Sequence, residues 1–316
     1  MKVRSLLPIV LAALLPLTGC IFHRAPHAPQ MSTAQLRTAT KEELINVING
    51  EANRISTLNA TVDIAANVGS AKNSKVTDYP DIKGYLLVQK PAMLRMIGLL
   101  PLVRTTAFDM VSDGSRFKLS IPPKGKFIVG SNEVVRPSPN ALENLRPQVI
   151  MDSLLLRQID LNNEVAVLES GTETVVDAKT KKPVIQPNYV LDVIDKDGHD
   201  WYLARKIYFS RIDLMPYQQV TYERMGSVAT DTHYYKFQDF SGVMFPRIID
   251  IYRPQERYTV ELTIESMKIN TPLRSDQFAL SQPPGSQLVD VDRTPALRAQ
   301  DGTAANLGKP SKTEHP

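Results

Sequence analysis

Leu58, Ala60, Val62, Ile64, Ala66 and Val68 alternate with Asn59, Thr61, Asp63 and Asn67, and this period of two predicts a half-buried strand. Before it, Leu44, Val47, Ile48, Ala52 and Ile55 recur at helical intervals. They follow Thr40-Lys41-Glu42-Glu43, which has capping-box spacing, so an amphipathic helix is expected over about 41–56. Further strands are expected over about 82–90, 93–98, 105–112, 116–121 and 126–129, punctuated by Pro80, Pro91, Pro101, Asp113-Gly114 and Pro122-Pro123. A second helical stretch, about 138–158, carries Leu142, Leu145, Val149, Leu154 and Leu155, with Pro147 placed to break or kink it. Strands resume at about 163–169, 173–177, 188–195, 200–210, 217–224, 228–238, 243–252 and 257–269, several joined by short turns such as Asp197-Gly198 and Ser241-Gly242.

Strands so closely spaced, with no helix between them, argue for an antiparallel meander. The expected fold class is mainly β (α+β): an incomplete antiparallel β-barrel of about 11–13 strands with helices plugging its concave face. Such a hollow is filled by helix, by ligand, or by both. The face that begins with Val62 and Ile64 and continues with Leu86 and Val88 is the candidate lining, although alternation alone does not say which face points inward.

The N-terminus changes the compartment. Lys2 and Arg4 precede an apolar run from Leu6 to Leu17 that is too short for a spanning helix, which needs about 20 residues. Leu17-Thr18-Gly19-Cys20 then resembles the lipobox of bacterial lipoproteins, in which the cysteine becomes the first residue and takes the lipid. Cys20 is the only cysteine, so no intramolecular disulfide is possible. The expected organisation is a signal peptide over 1–19, a flexible tether over 20–40 with lipidated Cys20, one domain over 41–290, and a disordered tail over 291–316. By resemblance to Gram-negative sorting rules, Ile21 after the cysteine favours the periplasmic face of the outer membrane.

Charge adds little. Without Lys2 and Arg4 the 37 basic side chains fall to 35 against 33 acidic ones, so Lys179-Thr180-Lys181-Lys182 reads as a solvated turn and no nucleic-acid partner is expected. His23 and His27 lie in the tether without further ligands, and neither metal nor cofactor is expected. The chain has no Gly-x-Ser-x-Gly, phosphate-cradling glycine loop or metal-ligand histidine pair. Asp231-Thr232-His233 places an acid and a base on one strand face, a spacing that serves packing more often than catalysis, so no enzyme is expected. Trp201, Tyr202, Tyr208 and Phe209 are expected at the barrel core or rim.

Gly84-Tyr85-Leu86-Leu87-Val88-Gln89-Lys90-Pro91, then Leu94-Arg95-Met96 and Ser112-Asp113-Gly114-Ser115-Arg116-Phe117, resembles the core of the LolA/LolB superfamily. Gly242-Val243-Met244-Phe245-Pro246, Ile248, Glu261, Asn270-Thr271-Pro272-Leu273 and Phe278 resemble its closing segment. The matching pieces span about 41–290 and are short. The resemblance implies an incomplete barrel with a helical lid, whose carriers hold lipoprotein acyl chains and whose anchored receptors accept them. A chain with its own lipobox resembles the receptors, which bear an apolar loop where Ile97-Gly98-Leu99-Leu100-Pro101-Leu102-Val103 stands here.

That loop, with Ile97, Leu99, Leu100, Pro101 and Leu102, is the candidate contact for membrane or cargo, because an uncharged segment broken by Gly and Pro is poorly suited to a central strand. The alternative is that the two strands run on and the leucines are core. Where the carriers have an arginine before the proline, this chain has Lys90, which lacks the planar fork and is expected to be an ordinary surface lysine. The expected partners are membrane lipid, the acyl chains of lipoproteins or other lipids, and a periplasmic carrier protein. The competing expectation is a scaffold or assembly lipoprotein that fills the hollow with its own side chains and binds a protein.

Overall fold

The computed structural model describes residues 30–69, 76–133, 146–177 and 180–293, with backbone alone at 68–69 and 76–80. The expected signal peptide, Cys20, His23, His27 and the expected tail from 294 lie outside the described residues, as does the 138–145 part of the second expected helix.

In chain order the elements are β1 (Gln30–Met31), α1 (Lys41–Arg54), β2 (Thr57–Gly69), β3 (Val76–Gln89), β4 (Met93–Leu99), β5 (Thr106–Ser112), β6 (Arg116–Ile121) and β7 (Lys126–Ser131). Then come α2 (Pro147–Leu154), β8 (Glu164–Val176), β9 (Pro183–Asp197), β10 (Asp200–Ser210), β11 (Pro216–Tyr222), β12 (Val228–Phe240), β13 (Val243–Arg253), β14 (Tyr258–Ile269) and β15 (Gln287–Asp290). Segments 163–169 and 173–177 are one strand, β8. Pro147 begins α2 instead of kinking it, a place where its missing N–H is no loss.

The chain divides into two compact units. The first comprises residues up to Ala34 and Thr172–Pro187. In it β1 pairs in parallel with β9, Gln30 opposite Val184, and Asp177 N–H donates to Lys182 O at 2.9 Å to close the turn between β8 and β9.

The second unit, Gln35–Gly171 with Asn188 onward, holds the sheet. Its strand order is β9-β10-β11-β12-β13-β14-β2-β3-β4-β5-β6-β7-β15. Neighbours are antiparallel except β15 with β7. Nothing pairs the β9 side with β15 among the described residues, so the barrel is incomplete. The expected tether is partly built in. Arg37 N–H donates to Arg211 O at 2.6 Å, and Ala39 N–H reaches the Tyr189 hydroxyl at 3.4 Å.

α1 starts at a reciprocal cap, Glu43 N–H to Thr40 Oγ1 at 3.2 Å and Thr40 N–H to Glu43 Oε2 at 2.7 Å. It buries Leu44, Ile45 and Ile48 against Ile159, Leu191, Val193, Ile207 and Phe209. α2 buries Ile150, Met151 and Leu154 in a larger cluster with Val62, Ile64, Leu86, Val88, Met96, Met110 and Leu262. No described helix is long and apolar enough to cross a membrane.

Candidate functional site

The uncharged segment after β4 divides in two. Ile97 and Leu99 are half-buried positions of β4, opposite Tyr85 and Lys83 on β3, and are strand residues, not loop residues. Gly98 is buried because the Phe108 ring crosses it: a Cβ there would lie 2.4 Å from Phe108 Cε1 and 2.7 Å from Ile82 Cδ1. The reversal itself begins at Leu100, whose N–H donates to Thr105 O at 2.8 Å, while Arg104 N–H donates to Leu100 O at 3.0 Å.

At the apex stand Pro101, Leu102 and Val103. Leu102 is 100% exposed and Val103 68%, and Leu102 takes a left-handed backbone with φ of +66°. A leucine there is unusual twice over, since the conformation costs about 1 kcal/mol and the side chain meets only water. Beside the apex a groove of about 330 Å³ runs over Lys83, Tyr85, Leu99 and Arg104 on the outer face of the sheet. Thus Leu102 and Val103 are the exposed apolar groups, and Arg104, a cation at their shoulder, is a site residue that apolar patterning alone did not single out.

The inner face is otherwise. Val62, Ile64, Leu86 and Val88 are buried core residues in one apolar cluster with Ile150, Met151 and Leu154 of α2. The described inner cleft is about 50 Å³, room for a few waters, and its walls include Ala52, Ile55, Lys90, Leu154, Leu155 and Phe245. Ligand pockets ordinarily measure about 300–1,000 Å³. Polar groups pin α2 here: Ser153 Oγ and Thr232 Oγ1 lie 3.0 Å apart, and the Tyr234 hydroxyl donates to Ser153 O at 3.0 Å.

Lys90 is not an ordinary surface lysine. Its Nζ donates to the carbonyl of Ala52 in the last turn of α1, where the helix dipole is negative, and burial holds its ammonium below the usual lysine range. Glu51 shares the cleft wall, and burial raises its carboxyl despite Arg54 at 2.8 Å.

On the outer face of β11 to β13, His233 Nε2 lies 3.2 Å from Asp231 Oδ1, which also accepts from Gln218 Nε2 at 2.8 Å. The pair is solvent-accessible and sits in no described cleft. Phe209 is core, whereas Trp201 is half-exposed with the Lys196 ammonium 5.7 Å from its ring centre. Among the described residues no group of three or more His, Cys, Asp and Glu side chains is placed to hold a metal.

No family model and no curated protein matches the chain. Solved structures do. The LolA superfamily protein NE2245 from Nitrosomonas europaea is 13% identical over 77% of this chain and 99% of its own, with a TM-score of 0.46. The chain resembles LolA superfamily structures in its fold. An outer membrane lipoprotein-sorting protein domain from Vibrio parahaemolyticus is 11% identical over 76% and 97%, with a TM-score of 0.47. A DUF1329 family protein from Desulfovibrio piger is 10% identical over 76% and 95%, with a TM-score of 0.48. These likenesses are of fold alone.

Proposed function

We propose that this chain is a non-catalytic, lipid-anchored protein of the outer membrane's periplasmic face that handles the acyl chains of a lipoprotein or another lipid, meeting them first through the β4–β5 turn. The observation that carries the reading is Leu102, set fully in water at the apex of a hairpin, with Val103 beside it 68% exposed. Burying a leucine side chain in hydrocarbon contributes about 1.5–3 kcal/mol, so a bare apolar apex is stabilised only when apolar matter covers it. Two acyl chains on Cys20 would hold the protein within reach of the bilayer.

A second reading rests on the filled inner face. With Val62, Ile64, Leu86 and Val88 buried in one apolar cluster with Ile150, Met151 and Leu154 of α2, an acyl chain reaches them only if that packing opens. A protein that never releases α2 is a scaffold binding a protein partner.

The chain from Ile21, purified without added lipid and extracted for mass spectrometry, separates the two. Stoichiometric lipid across preparations supports acyl-chain binding, and none supports the scaffold. Leu102→Asp with Val103→Asp is the companion change: transfer or capture of a lipoprotein falls while the melting temperature stays within about 1 °C, since neither side chain touches the core. Leu99 is unsuited to this test because it is half-buried in β4.

A further inference from the structure

In an antiparallel meander the turns alternate between the two ends of the sheet, so the β4–β5 turn and the β6–β7 turn share one end. Two strand spacings, about 10 Å, separate them. We infer that this corner of the sheet is a docking face for an anionic phospholipid bilayer. Leu102 and Val103 enter the acyl region, and Arg104 and Lys124 meet the headgroup phosphates. The inference rests on the preceding reading that the β4–β5 apex meets lipid, and it adds which lipid and through which second hairpin.

Three observations support it. The β6–β7 turn is short and stiff: Pro122–Lys124 form one 3-10 turn that Gly125, at φ of +58°, closes with its N–H to Pro122 O at 3.0 Å, and all four residues are exposed. Lys124 is thereby held out beside the apolar apex. Among the described residues no carboxylate bridges Arg104 or Lys124, whereas Lys83, just behind, is already paired with Asp63 at 3.2 Å. Two cations without protein partners next to an exposed leucine match a surface that is negative outside and hydrocarbon inside.

The rest of the molecule does not repeat the pattern. Farther along the same end, Met225 is 93% exposed, but its neighbour Arg224 is paired with Asp197, and Asp200 and Glu223 add negative charge. At the opposite end Asp113 accepts from Ser115 and Arg116 and Asp239 accepts from Gly242, and although Ile212 is 46% exposed there, its neighbour Arg211 is engaged with the Arg37 carbonyl and the Tyr189 ring. An anionic surface is therefore drawn to the β4–β7 corner and repelled from the β9–β12 corner.

The test is co-sedimentation of the chain from Ile21 with vesicles, so that neither the signal peptide nor the lipid on Cys20 contributes. The described strands and helices, β1 to β15 with α1 and α2, lie within residues 30–293, and this chain keeps them all. Vesicles of phosphatidylcholine are compared with an equal mixture of phosphatidylcholine and phosphatidylglycerol. Tighter binding to the mixture is expected, weakening as salt rises. Arg104→Gln with Lys124→Gln should lower affinity for the mixture roughly 25-fold, about five-fold per cation, and leave phosphatidylcholine binding unchanged. Leu102→Asp should lower binding to both. If the double glutamine variant binds the mixture as tightly as the parent while Leu102→Asp does not, the anionic docking face is wrong and the apolar apex stands. If Leu102→Asp binds as well as the parent, or the parent binds neither vesicle, the apex reading falls and takes this inference with it.

Discussion

Lys90 on the strand side and Ala52 on the helix side are joined by a single hydrogen bond, from an ammonium to a backbone carbonyl, at the mouth of the inner cleft. It satisfies one of the carbonyls that α1 leaves open at its C-terminal turn, and it ties the helix to the end of β3. Lys90→Met should therefore cost about 1 kcal/mol and raise hydrogen exchange at the amides of residues 50–55, whereas Lys90→Arg should restore protection. Unchanged exchange in the methionine variant would show that the contact holds nothing.

Gly98 leaves space that the Phe108 ring occupies. Gly98→Ala places a methyl inside van der Waals reach of that ring and of Ile82, so a loss of about 1–3 kcal/mol is expected in chemical denaturation. Gly98→Ala combined with Phe108→Leu should recover part of it, because the clash is with the ring and not with backbone.

Arg205 is almost wholly buried, donates to the carbonyls of Arg157 at 2.8 Å and Gln158 at 2.9 Å, and lies 3.9 Å from the buried Glu164 carboxylate. Burial, helped by the Arg157 charge, pulls its pKa down to about 10. Arg205→Met removes the donors while two carbonyls and much of a buried charge remain, and is expected to destabilise by about 3 kcal/mol.

His233 and Asp231 give the fold a pH signature. The hydrogen bond to Asp231 raises the His233 pKa above 6.5. Burial works to raise Asp231, but its hydrogen bonds from His233 and Gln218 outweigh that and lower it below 3.8. A base whose pKa rises on folding contributes fully below its unfolded value and loses that contribution as pH climbs through its folded value. An acid whose pKa falls on folding contributes above its unfolded value and loses out as pH drops. The pair is thus most stabilising between about pH 4 and 6.5. Proton NMR of the His233 ring should show a midpoint above 6.5 that Asp231→Asn returns toward the ordinary value. A midpoint at or below 6.5 in the parent contradicts the geometry.

The strands were legible because alternation survives wherever one sheet face is buried, as in Leu58 to Ile64. Gly98 and the Ile97–Leu99 pair defeated the reading for a stated reason. Ile97 and Leu99 point outward beside Tyr85, while Gly98 faces inward under the Phe108 ring, so the end of β4 carries no charged side chain on either face and strand and apex merged into one uncharged run. β1 and β15 are too short to carry a period, and both are parallel edge additions that only a neighbouring strand specifies. Alternation marked Val62, Ile64, Leu86 and Val88 as one face, yet whether such a face meets ligand or protein depends on where α2 lies, which no local pattern encodes. Lys90 was misjudged because its partner is a backbone carbonyl 38 positions away, invisible to side-chain chemistry.

The pairing of β2 with β14 sets Ile64 against Leu262, 198 positions apart in sequence. Half of the barrel's central seam is therefore made early in synthesis and the other half nearly last. Until β14 arrives, β2 offers a long unsatisfied edge to any chain nearby, which makes folding slow and local propensity a poor guide to its rate. A product ending before Tyr258 would keep most of its strands and still lack the strand that joins its two halves, leaving two open borders ready to pair with neighbours.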